Sequence, residues 1–191
     1  MSLDTKQFED LELMLRSHGI ILGAGLSDRQ IEQAEQRWGI RFPPDLAQML
    51  SRFVPCSKGF YNWDDQSQDS VSSIKNALYW PVEGILFDVE KNNFWMRDWG
   101  ERPAQIEEAL QVAKIHLAKV PKLIPIYQHR YLPSEPNEAN NPIFSVWQTD
   151  IIYYGSNIYE YFEMELRLIK HSDIQFDKIK KGIPFWGYLL E

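Results

Sequence analysis

The stretch from Leu123 to Tyr161, LIPIYQHRYLPSEPNEANNPIFSVWQTDIIYYGSNIYEY, combines strand-forming residues, an aromatic cluster and many polar groups in one continuous segment. Branched and aromatic side chains favour strands at Leu123 to Tyr127, Phe144 to Trp147 and Ile151 to Tyr154. The short polar turn Gln148-Thr149-Asp150 separates the last two. This pattern predicts a hairpin at the centre of a sheet, with the rest of the chain as its support.

The segments on either side of that stretch have the apolar periodicity and the end signals of helices. They are Thr5 to Ser17, Ser27 to Gly39, Pro43 to Phe53 and a long segment from Pro103 to Pro121. Ser27 and Gln30 form a capping box for the second, and Asn157 starts a further helix that runs to about Leu168. We therefore expect a single α+β domain over residues 1–191, with a mixed, mostly antiparallel sheet flanked by helices.

The middle of the chain predicts more strand than helix. Lys58 to Trp63 is typical of a short strand, Asp64 to Ser73 of a polar mobile loop, and Ile74 to Trp80 of a short helix. Gly84 to Asp88 and Asn93 to Arg97 then favour two strands, which would form the first hairpin of the sheet.

Composition limits the classes of partner and compartment. The 27 Asp and Glu against 20 Lys and Arg give a net charge of -7, which opposes contact with nucleic-acid phosphates and suits a basic protein partner. Cys56 is the single cysteine of the sequence, so no disulfide can form within the chain, and this fits a reducing compartment. No apolar run approaches the length of a membrane span, so we expect a cytoplasmic chain, with a monomer favoured.

The sequence contains none of the common phosphate-loop, zinc or calcium motifs. Its four histidines, His18, His116, His129 and His171, are far apart and lack the spacing of metal ligands. The tail after Ile183 is too apolar to be free, and we expect it to dock on the body. We expect no metal site and no cofactor.

Exposed aromatic and charged residues are the best candidates for a partner-binding surface, because Trp, Tyr and Arg dominate binding hot spots. The candidates are Trp95, Trp99, Trp147, Tyr153 and Tyr154 as aromatic anchors, His129, Arg130 and Asp150 as polar contacts, and Asp64, Asp65 and Asp69 as rim acids. The aromatic set would also suit a stacking platform for bases or sugars, or a core between sheet and helices.

Two polar constellations leave enzymatic interpretations open. Cys56 with His129 and Asp150 permits a nucleophile triad, although a small buried hydrophobic Cys56 fits the sequence better. Arg130 and Asp150 can form an ion pair that is either structural or part of a site.

A second enzymatic alternative comes from carboxylates. Asp88 and Glu90, with Glu83 upstream, permit a pair of hydrolytic acids near a strand end. Charges that protect a strand edge against aggregation explain the same residues more simply.

Three segments together resemble a known family. They are Ile31 to Leu46 (IEQAEQRWGIRFPPDL), Gly84 to Asp88 (GILFD) and the strand-to-helix junction Asp150 to Phe162. A helix that ends in Gly39-Ile40, followed by Pro43-Pro44-Asp45 at the start of the next helix, is similar to the signature of the SUKH superfamily. The loop Val54 to Ser57 departs from the Asn-Gly pair that many members have at that place.

The resemblance implies an α+β fold and a non-enzymatic function. Bacterial SUKH members are immunity proteins that bind and neutralise a cognate toxin, often a nuclease, and fungal members regulate the synthesis of cell-wall glucan. The resemblance supplies no catalytic residue. It therefore implies a cognate toxin domain as the partner, with a regulatory or scaffold module as the alternative and an unrecognised hydrolase as the third candidate.

Overall fold

The computed structural model describes residues 4–176, 179 and 182–190. Its helices are α1 (Thr5–Ser17), α2 (Asp28–Trp38), α3 (Pro44–Arg52), α4 (Gln68–Lys91), α5 (Ile106–Leu117) and α6 (Ile158–Glu165). Its strands are β1 (Leu22–Ala24), β2 (Phe53–Pro55), β3 (Leu123–Tyr127), β4 (Arg130–Pro133), β5 (Ile143–Trp147) and β6 (Asp150–Gly155). The chain is therefore α+β, as the sequence predicts.

The central sheet is an antiparallel meander in the order β3-β4-β5-β6, and both of its faces are buried. Alternate residues of β3 face opposite ways: Ile124 packs in a core with α1, α3 and α6, and Leu123 packs in a core with α4 and α5. A separate antiparallel pair joins β1 to β2. The turns between β3 and β4 and between β5 and β6 lie at the same end of this sheet.

The predicted hairpin is confirmed, but its surroundings differ from the prediction. Trp147 pairs with Asp150 across the turn of the β5–β6 hairpin, and β6 lies at the edge of the sheet. The prediction lacked β4, which pairs with β3 on one side and β5 on the other. Gln128 and Gln148 have positive φ of 47° and 57°, so the two connecting turns are tight two-residue turns.

The predicted hairpin over Gly84 to Arg97 is wrong, because α4 continues to Lys91. Pro81 and Gly84 resemble helix breakers, yet each is accommodated by the sheet. Pro81 cannot donate to the carbonyl of Ala77, and the Tyr131 hydroxyl donates to that oxygen instead, at 2.9 Å. A Cβ at Gly84 would lie 2.7 Å from the Cα of Gln148, so the helix can approach the β5–β6 turn only where the side chain is absent.

The segment before α4 is also less regular than predicted. Lys58 to Trp63 forms no strand, and Phe60 makes one isolated antiparallel bridge to Tyr127. The predicted loop Asp64 to Ser73 extends only as far as Ser67, whose side chain caps α4 by accepting from the Ser70 N–H. Helix formation therefore begins inside the polar stretch.

Several predicted ends and contacts are confirmed. Ser27 and Gln30 form the capping box of α2, and Asn157 caps α6. The tail docks as expected, because Trp186 is buried and its indole N–H donates to the Pro121 carbonyl at 2.7 Å. Helix α5 begins at Ile106 rather than at Pro103.

Candidate partner-binding site

A groove of about 620 Å³ lies where α4 passes the turn between β3 and β4. Helix α4 contributes Asn76, Trp80 and Glu83, whose i, i+4, i+7 spacing places them on one face, and the turn contributes Gln128 and His129. We call this feature the turn groove. Its walls belong to a helix and a hairpin that are both packed on the core, so its shape is set by rigid elements.

Two indoles form an exposed aromatic rim beside the turn groove. Trp80 is 40% exposed and Trp147 is 56% exposed, and their ring centroids lie 5.7 Å apart in an edge-to-face arrangement. The His129 ring lies 6.5 Å from that of Trp147. Two exposed tryptophans in contact present a large amphipathic surface to the solvent.

Asp88 holds the turn next to Trp147. Its carboxylate is 3% exposed and accepts hydrogen bonds from the Thr149 N–H at 2.9 Å and from the Thr149 hydroxyl at 2.6 Å. The Asn92 amide donates to its other oxygen at 2.6 Å. We call this set the turn clamp. Asp150, in the turn itself, is exposed, so the residue that clamps the turn comes from α4.

Tyr131 forms the floor of the turn groove and supports α4 from below. It is 1% exposed, and its hydroxyl hydrogen bond to Ala77 completes the helix at Pro81. Burial, and to a smaller extent the neighbouring Tyr61, raises the pKa of Tyr131 well above its usual range. The hydroxyl therefore stays protonated and remains a donor.

His129 is neutral at pH 7 in this position. Partial burial lowers the pKa of its imidazole, and the adjacent Arg130 guanidinium lowers it further. The rim of the turn groove therefore carries no positive charge from His129 at neutral pH.

Arg130 forms a structural ion pair, but not with Asp150 as predicted. Its Nε donates to Glu165 at 3.3 Å, and a terminal nitrogen donates to the Ser145 hydroxyl at 2.8 Å. Its guanidinium lies 3.6 Å from the ring centroid of Tyr154. The Arg130 and Glu165 side chains are only 12% and 22% exposed, so Arg130 is held inside the fold and Tyr154 is covered by it.

Three other predicted anchors lie away from the turn groove. Trp99 is buried at 8% exposure, with its ring 5.2 Å from that of Trp95, and the Trp95 indole N–H donates to the Gly100 carbonyl at 2.8 Å. Tyr153 is half-buried and stacks on Phe176 at 5.7 Å. The prediction that Trp99 is an exposed anchor is therefore wrong, because this tryptophan packs in the core beside α5.

Two of the predicted rim acids have structural partners. Asp64 accepts from the Gln30 amide at 2.8 Å, and this bond ties the loop to α2. Asp65 accepts from both the N–H and the hydroxyl of Ser67, the residue that caps α4. Both carboxylates therefore contribute to the fold before α4.

Asp65 and Asp69 line a second cavity of about 360 Å³ near the start of α4. This cavity shares Tyr61 and Ser73 with the turn groove, so the two are neighbours along the helix. Asp69 is exposed in the first turn of α4, where a negative charge also complements the helix dipole. The structure thus brings His129, Trp147, Asp65 and Asp69 to the same side of α4.

The residues that suggested an enzymatic site lie in different surroundings from those that the sequence predicted. Cys56 is exposed, so its predicted position as a buried hydrophobic residue is wrong. Asp88 is enclosed in the turn clamp and Glu90 pairs with Lys91 at 2.7 Å, whereas Glu83 lines the turn groove. All three acids lie on one helix and not at a strand edge.

The described residues contain neither a cluster of metal ligands nor a membrane-spanning helix. Within residues 4–176, 179 and 182–190, no group of three or more His, Cys, Asp or Glu side chains is placed to hold a metal ion. In the same part of the chain, no helix has the length and apolarity needed to span a membrane.

Trp80 and Asn76 were missing from the residues that the sequence singled out. Their signal is the helical spacing of Asn76, Trp80 and Glu83, which can be recognised only if the helix is continued across Pro81. Because Pro81 and Gly84 suggested a break, the sequence placed Trp80 and Glu83 in different elements. The Gly84 to Asp88 segment of the family resemblance also lies in this helix.

Comparison with protein-family models, with curated proteins and with solved structures finds no match to this chain.

Proposed function

We propose that this chain is a non-enzymatic binding protein that uses the turn groove and its aromatic rim to bind a protein partner. The observation that carries the proposal is the pair of exposed indoles, Trp80 and Trp147, at the edge of an open groove. Tryptophans at the centre of an interface commonly supply most of its binding energy. Both indoles stand on elements that are already ordered, so little conformational entropy is lost on binding.

The partner that best fits is the cognate toxin domain that the SUKH resemblance implies. A net charge of -7 favours approach of a basic protein, and many nucleases are basic because they bind phosphates. Inhibition would come from blocking the active cleft of the toxin, without a chemical change to either protein. The cytoplasm is the compartment in which such a partner would have to be neutralised.

The state of the polar groups near the turn groove supports binding rather than chemistry. The buried carboxylate of Asp88 accepts three hydrogen bonds within the turn clamp. Arg130 is engaged by Glu165 and Ser145. These groups position the rim and have little remaining capacity to act on a substrate.

The test begins with capture of the partner from the cells that make this chain, followed by affinity measurements on the purified pair. Trp80→Ala and Trp147→Ala are compared with Tyr188→Ala, which removes an aromatic ring that is 78% exposed on the docked tail. We expect each tryptophan variant to bind at least about tenfold more weakly, equivalent to about 1.4 kcal/mol, and the control to bind like the original chain.

Two results would contradict the proposal. One is a partner whose affinity is the same for both tryptophan variants and for the original chain, provided that circular dichroism shows the variants to be folded. The other is a toxin that stays inactive after it has been separated from the complex, since blocking alone is reversible.

A further inference from the structure

We propose that the turn groove binds an arginine side chain of the partner, with the guanidinium stacked on the Trp80–Trp147 rim and paired with the carboxylate of Glu83. This inference rests on the proposed function and names the chemistry of the group that the groove receives. The groove combines the two features that a guanidinium requires, which are an aromatic face and a nearby anion.

The geometry of α4 places these features together. Glu83 follows Trp80 by three residues, so their Cβ atoms are neighbours on the helix surface, about 5–6 Å apart. Both side chains line the turn groove. Trp147 contacts Trp80 edge to face, and both indoles remain partly exposed to solvent. A planar guanidinium stacked on Trp80 would therefore lie beside the Glu83 side chain.

The charges around the groove favour a cation. Glu83 is exposed, and none of the ion pairs within the described part of the chain involves it. His129 opposite contributes no positive charge at pH 7, because burial and Arg130 lower its pKa. Arg130 directly follows His129 in the sequence, and its charge is paired with Glu165. Among the residues that the structure describes, no Lys or Arg lines the groove with this carboxylate.

The same chain already uses this arrangement once, inside the fold. The Arg130 guanidinium stacks over Tyr154 at 3.6 Å while its Nε donates to Glu165. An aromatic ring and a carboxylate, together with the Ser145 hydroxyl, thus hold an arginine in this protein. The turn groove presents the same pair of groups, with indoles in place of the phenol and without an arginine from the described residues.

The test uses N-acetyl-arginine amide as the probe and follows the indole N–H signals of Trp80 and Trp147 by NMR on the isotope-labelled chain. N-acetyl-citrulline amide is the neutral control of the same shape, and N-acetyl-lysine amide tests for arginine against lysine. Glu83→Gln removes the anion, and Glu32→Gln removes an equal charge from an exposed position on α2. We expect saturable shifts with the arginine probe, weaker binding of the lysine probe and none of the citrulline probe.

Glu83→Gln should lower the affinity of the chain for the arginine probe by about threefold, whereas Glu32→Gln should leave that affinity unchanged. Equal binding of the arginine and citrulline probes, tighter binding of lysine, or no effect of Glu83→Gln would overturn the inference. The captured partner separates this inference from the proposed function. If Trp147→Ala abolishes partner binding but Glu83→Gln does not weaken it, the inference fails and the proposed function stands.

Discussion

Tyr131 compensates for the hydrogen bond that Pro81 removes from α4. Its hydroxyl is the donor to the Ala77 carbonyl, which would otherwise be buried without a partner. We expect Tyr131→Phe to lower the free energy of unfolding by about 1–3 kcal/mol, measured by urea denaturation. Tyr188→Phe, at a ring that is 78% exposed, is the matched control and should change the midpoint little.

A double-mutant cycle isolates the cause. Pro81→Ala restores a backbone N–H that can donate to Ala77, so in that background Tyr131→Phe should cost clearly less. An equal cost in both backgrounds would mean that the Tyr131 hydroxyl acts in some other way than by completing the helix.

His129 should titrate below the usual value of about 6.5 for its side chain. Burial, followed by the charge of Arg130, lowers the pKa in the folded state, so the unfolded chain binds more protons as the pH falls through this range. The contribution of His129 to stability is therefore complete above about pH 6.5 and declines below it. NMR titration of the imidazole gives the pKa directly. His129→Gln should flatten the decline of stability below that pH, and an unshifted pKa would contradict the burial of the ring.

At the scale of the element, α4 and the β5–β6 turn form one unit through Gly84. Helix propensity alone predicts that Gly84→Ala stabilises α4 by about 1 kcal/mol. The contact predicts the opposite, because the new Cβ would lie 2.7 Å from the Gln148 backbone. We expect a net loss of about 1–2 kcal/mol in thermal or urea unfolding. A gain in stability would show that the helix and the turn are not in close contact.

The turn clamp makes a second prediction for the same unit. Asp88→Ala removes the acceptor of the Thr149 and Asn92 hydrogen bonds and should cost about 2–4 kcal/mol. Asp150→Ala, on the exposed side of the turn, should cost no more than about 0.5 kcal/mol. Denaturation of the two variants side by side measures the difference. The reverse order of costs would show that Asp150, and not Asp88, holds the turn.

The elements that could be predicted from the sequence are those with local signals. The capping box of Ser27 and Gln30, the strand of β5 and the hairpin to β6 depend on neighbouring residues alone. Helix α4 could not be predicted, because the acceptability of Pro81 and Gly84 depends on contacts with distant strands. Tertiary contacts of this kind commonly override the intrinsic helix propensity of a segment.

The candidate site was predicted only in part, for the same reason. Trp147 is exposed, as expected of an anchor, and the His129 ring lies beside it at 6.5 Å. Trp99 and Tyr154 could not be assigned from sequence, because their burial is caused by α5 and by Arg130 respectively. Trp80 enters the site only when α4 is recognised as one helix.

At the scale of the whole molecule, the negative charge should act on the rate of association and the aromatic rim on the rate of dissociation. Asp69 is the clearest rim acid for this purpose, because Asp64 and Asp65 accept hydrogen bonds that support the fold. On the proposed function, the net charge would draw a basic partner toward the turn groove, and the indoles would then hold it.

The most direct test of whether the turn groove is the partner-binding site compares the dissociation rate of the captured partner from the original chain and from Trp147→Ala. Trp147 is the more exposed of the two indoles in the rim. The turn clamp binds Thr149 and does not involve the Trp147 side chain. We predict that Trp147→Ala speeds dissociation at least about tenfold, while Tyr188→Ala leaves the rate unchanged. Equal dissociation rates for the original chain and a folded Trp147→Ala variant would contradict the assignment of the turn groove as the partner-binding site.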